Sequence, residues 1–357
     1  MKEDGSVWAA GANSFGQLGT GSRTKPITHF VEVFSSNVNA VASGGAHSIV
    51  LKQDGSVWVT GRNIHGQLGD GSNIDRERFV KVIFGGGKAV AAGSRHSLVL
   101  KHDGSMWATG CNLDGQLGDG SLPDRNTFLR VFVDKVQAVA TGCDHSLVLG
   151  QDRSVWAAGA NYFGQLGDGS NKLKRRFVQV LSHGAVAIAA GGDHSMVLKQ
   201  DGTVWAMGAN VHGQLGDGSR VPKNVMRLVS NGVKAIAAGF HHSMLLKKDG
   251  SVWTTGGNGF GQLGDGSKMK SGVFIAVVFS GVQAVAAGGW HSMILKRDGS
   301  FWAAGENNDG QLGDDSTSEK SIFIRVAQAS DHGARYNGTV PRVSQIECVN
   351  RAHDLFI

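Results

Sequence analysis

Residues 186 to 229 read VAIAAGGDHSMVLKQDGTVWAMGANVHGQLGDGSRVPKNVMRLV. An apolar run, VAIAAG, is followed by a two-residue turn, Gly192-Asp193, and then by the alternating HSMVLK. Gln200-Asp201-Gly202 turns the chain into TVWAMG, and a long glycine-rich loop leads to NVMRLV. Short runs rich in β-branched residues, separated by Gly and Asp turns, predict four strands connected up and down.

The same pattern recurs outward in both directions. Trp8, Trp58, Trp107, Trp156, Trp205, Trp253 and Trp302 are spaced by 50, 49, 49, 49, 48 and 49 residues. GQLG occurs seven times, beginning at Gly16, Gly66, Gly115, Gly164, Gly213, Gly261 and Gly310. G-x-x-H-S occurs six times, with His47, His96, His145, His194, His242 and His291. Four strands per unit of roughly 49 residues predict the blades of a β-propeller. A solenoid would need polar caps at its ends, and the sequence offers none.

The unequal motif counts favour a ring. QIECVNRAHDLFI at 345–357 aligns without gaps on QAVAAGGWHSMIL at 283–295, placing His353 on His291. The C-terminal stretch then supplies strands one and two of a blade, and KEDGSVWAAG at the N-terminus supplies the turn and strand three. The expectation is an all-β, seven-bladed propeller of four-stranded blades, closed by both termini sharing one blade, so that no sheet edge stays open. It forms a single domain over 1–357. The spacing of 62 residues from His291 to His353 places an insertion loop at about 327–340.

Composition narrows the function classes. Glycine occupies 54 of 357 positions and proline only 4, which excludes collagen and disfavours helices. An apolar fraction of 41% supports a packed core. The chain lacks an 18-residue apolar run and an N-terminal signal peptide, so the expectation is an intracellular protein, cytoplasmic or nuclear, without membrane contact. Cys111, Cys143 and Cys348 are too few and scattered for a disulfide framework. The formal charge of +6 permits an acidic partner without identifying one.

The combination G-x-x-H-S-x-x-L, D-G-x-V-W-x-x-G and N-x-x-G-Q-L-G resembles the repeats of the regulator of chromosome condensation family over nearly the whole chain. The resemblance implies a seven-bladed propeller and leaves function open, because one fold hosts many.

Residues present in every blade are expected to be architectural. The leucines of GQLG plug between blades, the glutamines satisfy loop backbone, the aspartates of GDGS cap turns, and each histidine bonds neighbouring backbone. One histidine per blade spaces them around a ring, so no metal site and no cofactor is expected. Nucleophile elbows, phosphate loops and paired carboxylates are missing, and no covalent catalysis is expected.

Function is expected where the repeat varies. The turn between strands one and two and the loop between strands three and four share one end of the propeller, here termed the motif face. Its variable tips place Arg95, Asp144, Asp193, Phe240, His241 and Trp290 on one surface, the residue types that interfaces concentrate. The loops after GQLGDGS carry a cationic rim, densest at Lys172, Lys174, Arg175 and Arg176. The reading is a monomeric propeller binding a protein partner through the motif face. The family's exchange-active members carry an acidic residue before one blade's histidine and a His-His pair two blades later, as Asp144-His145 and His241-His242 do here. That resemblance implies guanine-nucleotide exchange on a Ran-like small GTPase. Those members also insert a β-wedge into a middle blade, whereas the spacings here leave no room for one. The alternative is docking to chromatin or nucleic acid through the cationic rim.

Overall fold

The computed structural model describes residues 5–23, 25–132 and 135–327. They form twenty-six strands, β1 to β26, with no helix among them. Six four-stranded antiparallel sheets follow one another along the chain, preceded by a two-stranded one. Blade 1 contains β1 (Val7–Gly11) and β2 (Ile27–Phe34). Blade 2 runs from β3 (Val38–Ser43) to β6 (Arg76–Ile83), and blade 3 from β7 (Gly87–Ala92) through β9 (Met106–Gly110) to β10 (Arg125–Phe132). Blade 4 starts at β11 (Val136–Thr141) and ends at β14 (Lys174–Leu181). Blade 5 starts at β15 (Ala185–Ala190), blade 6 at β19 (Val233–Ala238) and blade 7 at β23 (Val282–Ala287). Seven outer strand pairs define seven blades, as the tryptophan count predicts. The strands at 345–357 that would complete blade 1, and the insertion near 327–340 past Ala327, lie outside the described residues.

Apolar burial occurs between blades. Leu68 of blade 2 is enclosed with Val90, Ala92 and Val99 of blade 3, and Trp107 and Phe128 of blade 3 pack on the same cluster. Leu117, Leu166 and Leu215 repeat this at the next three junctions. The sheets of blades 2 to 6 are thus covered on both faces by their neighbours, and the expected plugging role holds for Leu68, Leu117, Leu166 and Leu215.

The loop after strand three is built the same way in every blade, except that Thr20 stands in blade 1 where the others have the aspartate, and accepts from Asn13 Nδ2 at 3.2 Å. The glutamine of GQLG accepts from the amide two residues earlier, as Gln165 Oε1 does from Phe163 at 3.0 Å. The preceding asparagine accepts from the leucine amide, Asn161 Oδ1 from Leu166 at 3.0 Å. Its amide donates to the GDGS aspartate, Asn161 Nδ2 to Asp168 Oδ1 at 3.0 Å, while the amide of Ser170 caps the same carboxylate at 2.9 Å.

The histidines differ from expectation in their partner, which is a side chain of the next blade. His47 Nε2 lies 2.9 Å from Ser97 Oγ, His96 is 3.0 Å from Ser146, His145 is 2.9 Å from Ser195, His194 is 2.8 Å from Ser243, and His242 is 2.9 Å from Ser292. Each serine hydroxyl donates its proton backwards, Ser195 to the carbonyl of Gln165 at 2.8 Å. The hydroxyl can therefore only accept from the histidine, which fixes the Nε2–H tautomer. The first glycine of G-x-x-H-S is required by the same packing. A Cβ on Gly191 would lie 2.2 Å from His194 Cε1 and 2.4 Å from the carbonyl oxygen of Gly239 in the next blade.

Candidate partner-binding face

The hairpin tips and the residues before GQLG come together at one end of the propeller, as the strand directions require. Arg95, at the tip of blade 3, extends its Nη2 to Asp144 Oδ1 of blade 4 at 3.4 Å. Gln116 Nε2 donates to the same carboxylate oxygen at 3.2 Å, and Gln165 Nε2 repeats this on Asp193 Oδ1 at 3.2 Å. Tyr162 Oη donates to Asp114 Oδ1 at 2.6 Å. Arg95, Asp114, Asp144, Tyr162 and Asp193 thus form an acidic arc across blades 3 to 5. Burial raises the pKa of Asp193 to about 6, with Asp144 and Asp114 adding repulsion. Burial also raises that of Asp144, and Arg95 opposes the shift.

The other half of the face is aromatic. Trp290 lies against Phe240 with ring centroids 5.0 Å apart and against Phe260 at 5.9 Å. His241 packs on His212 at 4.6 Å and flanks Phe240 at 6.0 Å. Burial, followed by the neighbouring His212, lowers the pKa of His241 to about 4, so this ring is neutral at physiological pH. Its Nδ1 is buried without a hydrogen-bond partner. Beside these groups Ile64, Leu113, Tyr162 and Val211 are at least half exposed.

The six tip residues singled out in the sequence therefore share one end, divided between the two arcs. Asp114, Tyr162, His212 and Phe260 complete them. Each of the last four stands one or two residues before GQLG, so the repeat alignment marks the position, while the contacts of His212 and Phe260 with tips, and of Tyr162 with Asp114, appear only in the fold.

The cationic rim is reduced by pairing. Lys174 starts β14 and bonds Asp168 Oδ2 at 2.9 Å. Arg76, Arg125, Lys223 and Lys320 pair with the GDGS-position aspartate of their own blades. Arg175 and Arg176 belong to the same outer strand and not to the loop where the sequence placed them, because β14 begins at Lys174. Lys172, Arg175 and Arg176 remain exposed.

Among the described residues, His47, His96, His145, His194 and His242 stay apart, each bonded to a serine of the next blade, so these five offer no shared ligand set. A different trio converges on the motif face: His65, Cys111 and Asp124 each place a ligand atom within 4.8 Å of the others. Cys111 and Cys143 are free thiols.

The architecture and its variable face define a seven-bladed propeller whose repeat residues lock the blades and whose loop tips differ from blade to blade. The chain belongs to the RCC1-like family: the model of the RCC1-like domain matches residues 75–353, and that of the regulator of chromosome condensation (RCC1) repeat matches residues 4–51 and 38–67. Among solved structures it is similar to human WBSCR16, at a TM-score of 0.82 and 22% identity over 91% of this chain and 95% of that one. It is similar to yeast RCC1 (Prp20) in complex with Kap60, at 0.81 and 21% over 91% and 84%. Prp20p from Saccharomyces cerevisiae, described together with its binding to Gsp1p and histones, superimposes at 0.80 and 21% over 93% and 88%. No curated protein matches the chain by sequence.

Proposed function

We propose that this chain is an intracellular, cytoplasmic or nuclear binding module that docks a protein partner through its motif face. The observation that carries the reading is the division of that face into an acidic arc and an aromatic arc. The first suits a cationic segment of a partner, and the second suits an apolar anchor; aromatic and arginine side chains are the usual centres of binding energy. Chemistry at the face is non-covalent in this reading.

Nucleotide exchange on a Ran-like GTPase is its specific form. Asp144 and His241 stand where the family resemblance puts partner-contacting residues, and Prp20p, a protein of the same fold, is described as binding Gsp1p. Against exchange, the described blades follow one another with no inserted hairpin. Docking to chromatin or nucleic acid is less well supported, because seven of the rim cations are paired within the chain.

The test measures binding and exchange separately. Ran loaded with fluorescent GDP is titrated with the protein for affinity, and nucleotide release is then followed at fixed protein. Accelerated release lost in Asp144→Ala and His241→Ala supports exchange. Binding without release, weakened at least tenfold by Trp290→Ala, supports docking alone. An identified partner that binds all three variants as tightly as the parent chain would sink the motif-face reading.

A further inference from the structure

We infer that His65, Cys111 and Asp124 form a binding site for a divalent transition-metal ion of the zinc class. The three come from two blades. His65 precedes GQLG in blade 2, Cys111 follows β9 in blade 3, and Asp124 precedes β10 in the same blade. One imidazole nitrogen, one thiol sulfur and one carboxylate oxygen lie mutually within 4.8 Å. Tetrahedral zinc, with bonds of about 2.0 to 2.3 Å, needs donor separations of about 3.3 to 3.6 Å. His65 Nδ1 and Asp124 Oδ2 are already 2.9 Å apart, so an ion would replace their hydrogen bond. Both side chains are partly exposed and able to shift, whereas Cys111 is wholly buried and forms the floor of the site. Solvent above it supplies the fourth ligand, the arrangement of open zinc sites.

Outer contacts support this set. Asp124 Oδ1 accepts from the amide of Asn112 at 2.9 Å, which orients the carboxylate and leaves Oδ2 for the ion. Burial pushes the Cys111 thiol up to about 11 against a hydrogen bond from the Leu113 amide, so an ion must displace the thiol proton as it binds. The nearby Arg95 guanidinium is balanced by its pairing with Asp144. A mixed nitrogen, sulfur and oxygen set selects zinc-like ions over magnesium or calcium.

The repeat shows that His65 and Cys111 are not architectural, whereas Asp124 shares its place, and its bond to the asparagine amide, with Asp75 of blade 2, which accepts from Asn63 at 2.7 Å. The position of Cys111 holds Ala12, Arg62, Ala160, Ala209, Gly257 and Glu306 in the other blades. That of His65 holds phenylalanine in three of them, Phe15, Phe163 and Phe260. Cys111→Ala and His65→Phe therefore install residues the scaffold already carries at those places.

The test is a titration of the reduced, full chain with Co²⁺, followed by competition with Zn²⁺. The expected result is one ion per chain, with a sulfur-to-cobalt charge-transfer band that Zn²⁺ abolishes. The band disappears in Cys111→Ala, and affinity falls at least tenfold in His65→Phe and in Asp124→Asn. Absence of the band overturns the proposal, as does a band that persists in Cys111→Ala or an affinity unchanged by His65→Phe.

Discussion

Acidification is the perturbation that most directly tests the blade locks. His47, His96, His145, His194, His242 and His291 are enclosed, and burial lowers their pKa from 6.5 to between about 3 and about 4. Folded, they stay neutral down to about pH 5; unfolded, they protonate below 6.5. Their contribution to stability is therefore complete above pH 6.5 and is lost as pH falls toward about 4. At pH 5.5 each unfolded imidazole is mostly protonated and costs about 1.4 kcal/mol, or about 8 kcal/mol for the six. Asp193 works in the opposite sense. Its folded pKa, raised to about 6, returns about 1 kcal/mol over the same interval, and Asp144 acts in the same direction. The six histidines and Asp193 together give an expected loss of about 7 kcal/mol between pH 7.5 and 5.5, which His241, lowered to about 4, enlarges and Asp144 reduces; this is comparable with the whole stability of many domains. Urea unfolding followed by tryptophan fluorescence at both pH values measures it. A loss below about 2 kcal/mol would refute the assignment of six buried neutral histidines.

Two further outcomes are expected. Gly191→Ala forces a Cβ to within 2.2 Å of the His194 ring and should cost about 3 kcal/mol or more, whereas Gly184→Ala, with φ of +93° and no atom within 4 Å, should cost about 1 kcal/mol. Equal losses in thermal denaturation would contradict the packing argument. On the motif face, the affinity of an oligolysine probe should fall about fourfold from pH 7.5 to 5.5 as Asp193 protonates, and Asp193→Asn should remove most of that dependence. Parallel pH profiles for the two chains would show that the acidic arc does not hold the probe.

The blades were legible because their determinants are local. A turn at Gln200-Asp201-Gly202, an alternating HSMVLK and a tryptophan every 49 residues each report on neighbouring chain. Interactions between blades were legible only in part. The dipeptide His145-Ser146 conceals that its two members bond in opposite directions, the histidine forward to Ser195 and the serine back to Gln116. In the sequence Lys174 reads as a free cation, because its partner Asp168 lies six residues back in a turn motif whose carboxylate already accepts from loop backbone. The tips of the motif face could be enumerated from the repeat, but the stacking of His212 on His241 joins residues 29 positions apart across a blade boundary. His65 and Asp124 are farther apart still, and no motif spans them.

The direction of the histidine–serine bonds gives the ring a sense of rotation. Across blades 2 to 7 an imidazole donor at one edge meets a hydroxyl acceptor of the next blade, with the same chemistry at five successive junctions. A blade is therefore an interchangeable tile: duplicating or deleting one complete repeat joins a donor edge to an acceptor edge every time. Such a chain can change its number of tiles without inventing a new joint, and each tile is free to alter its tip while its edges stay fixed.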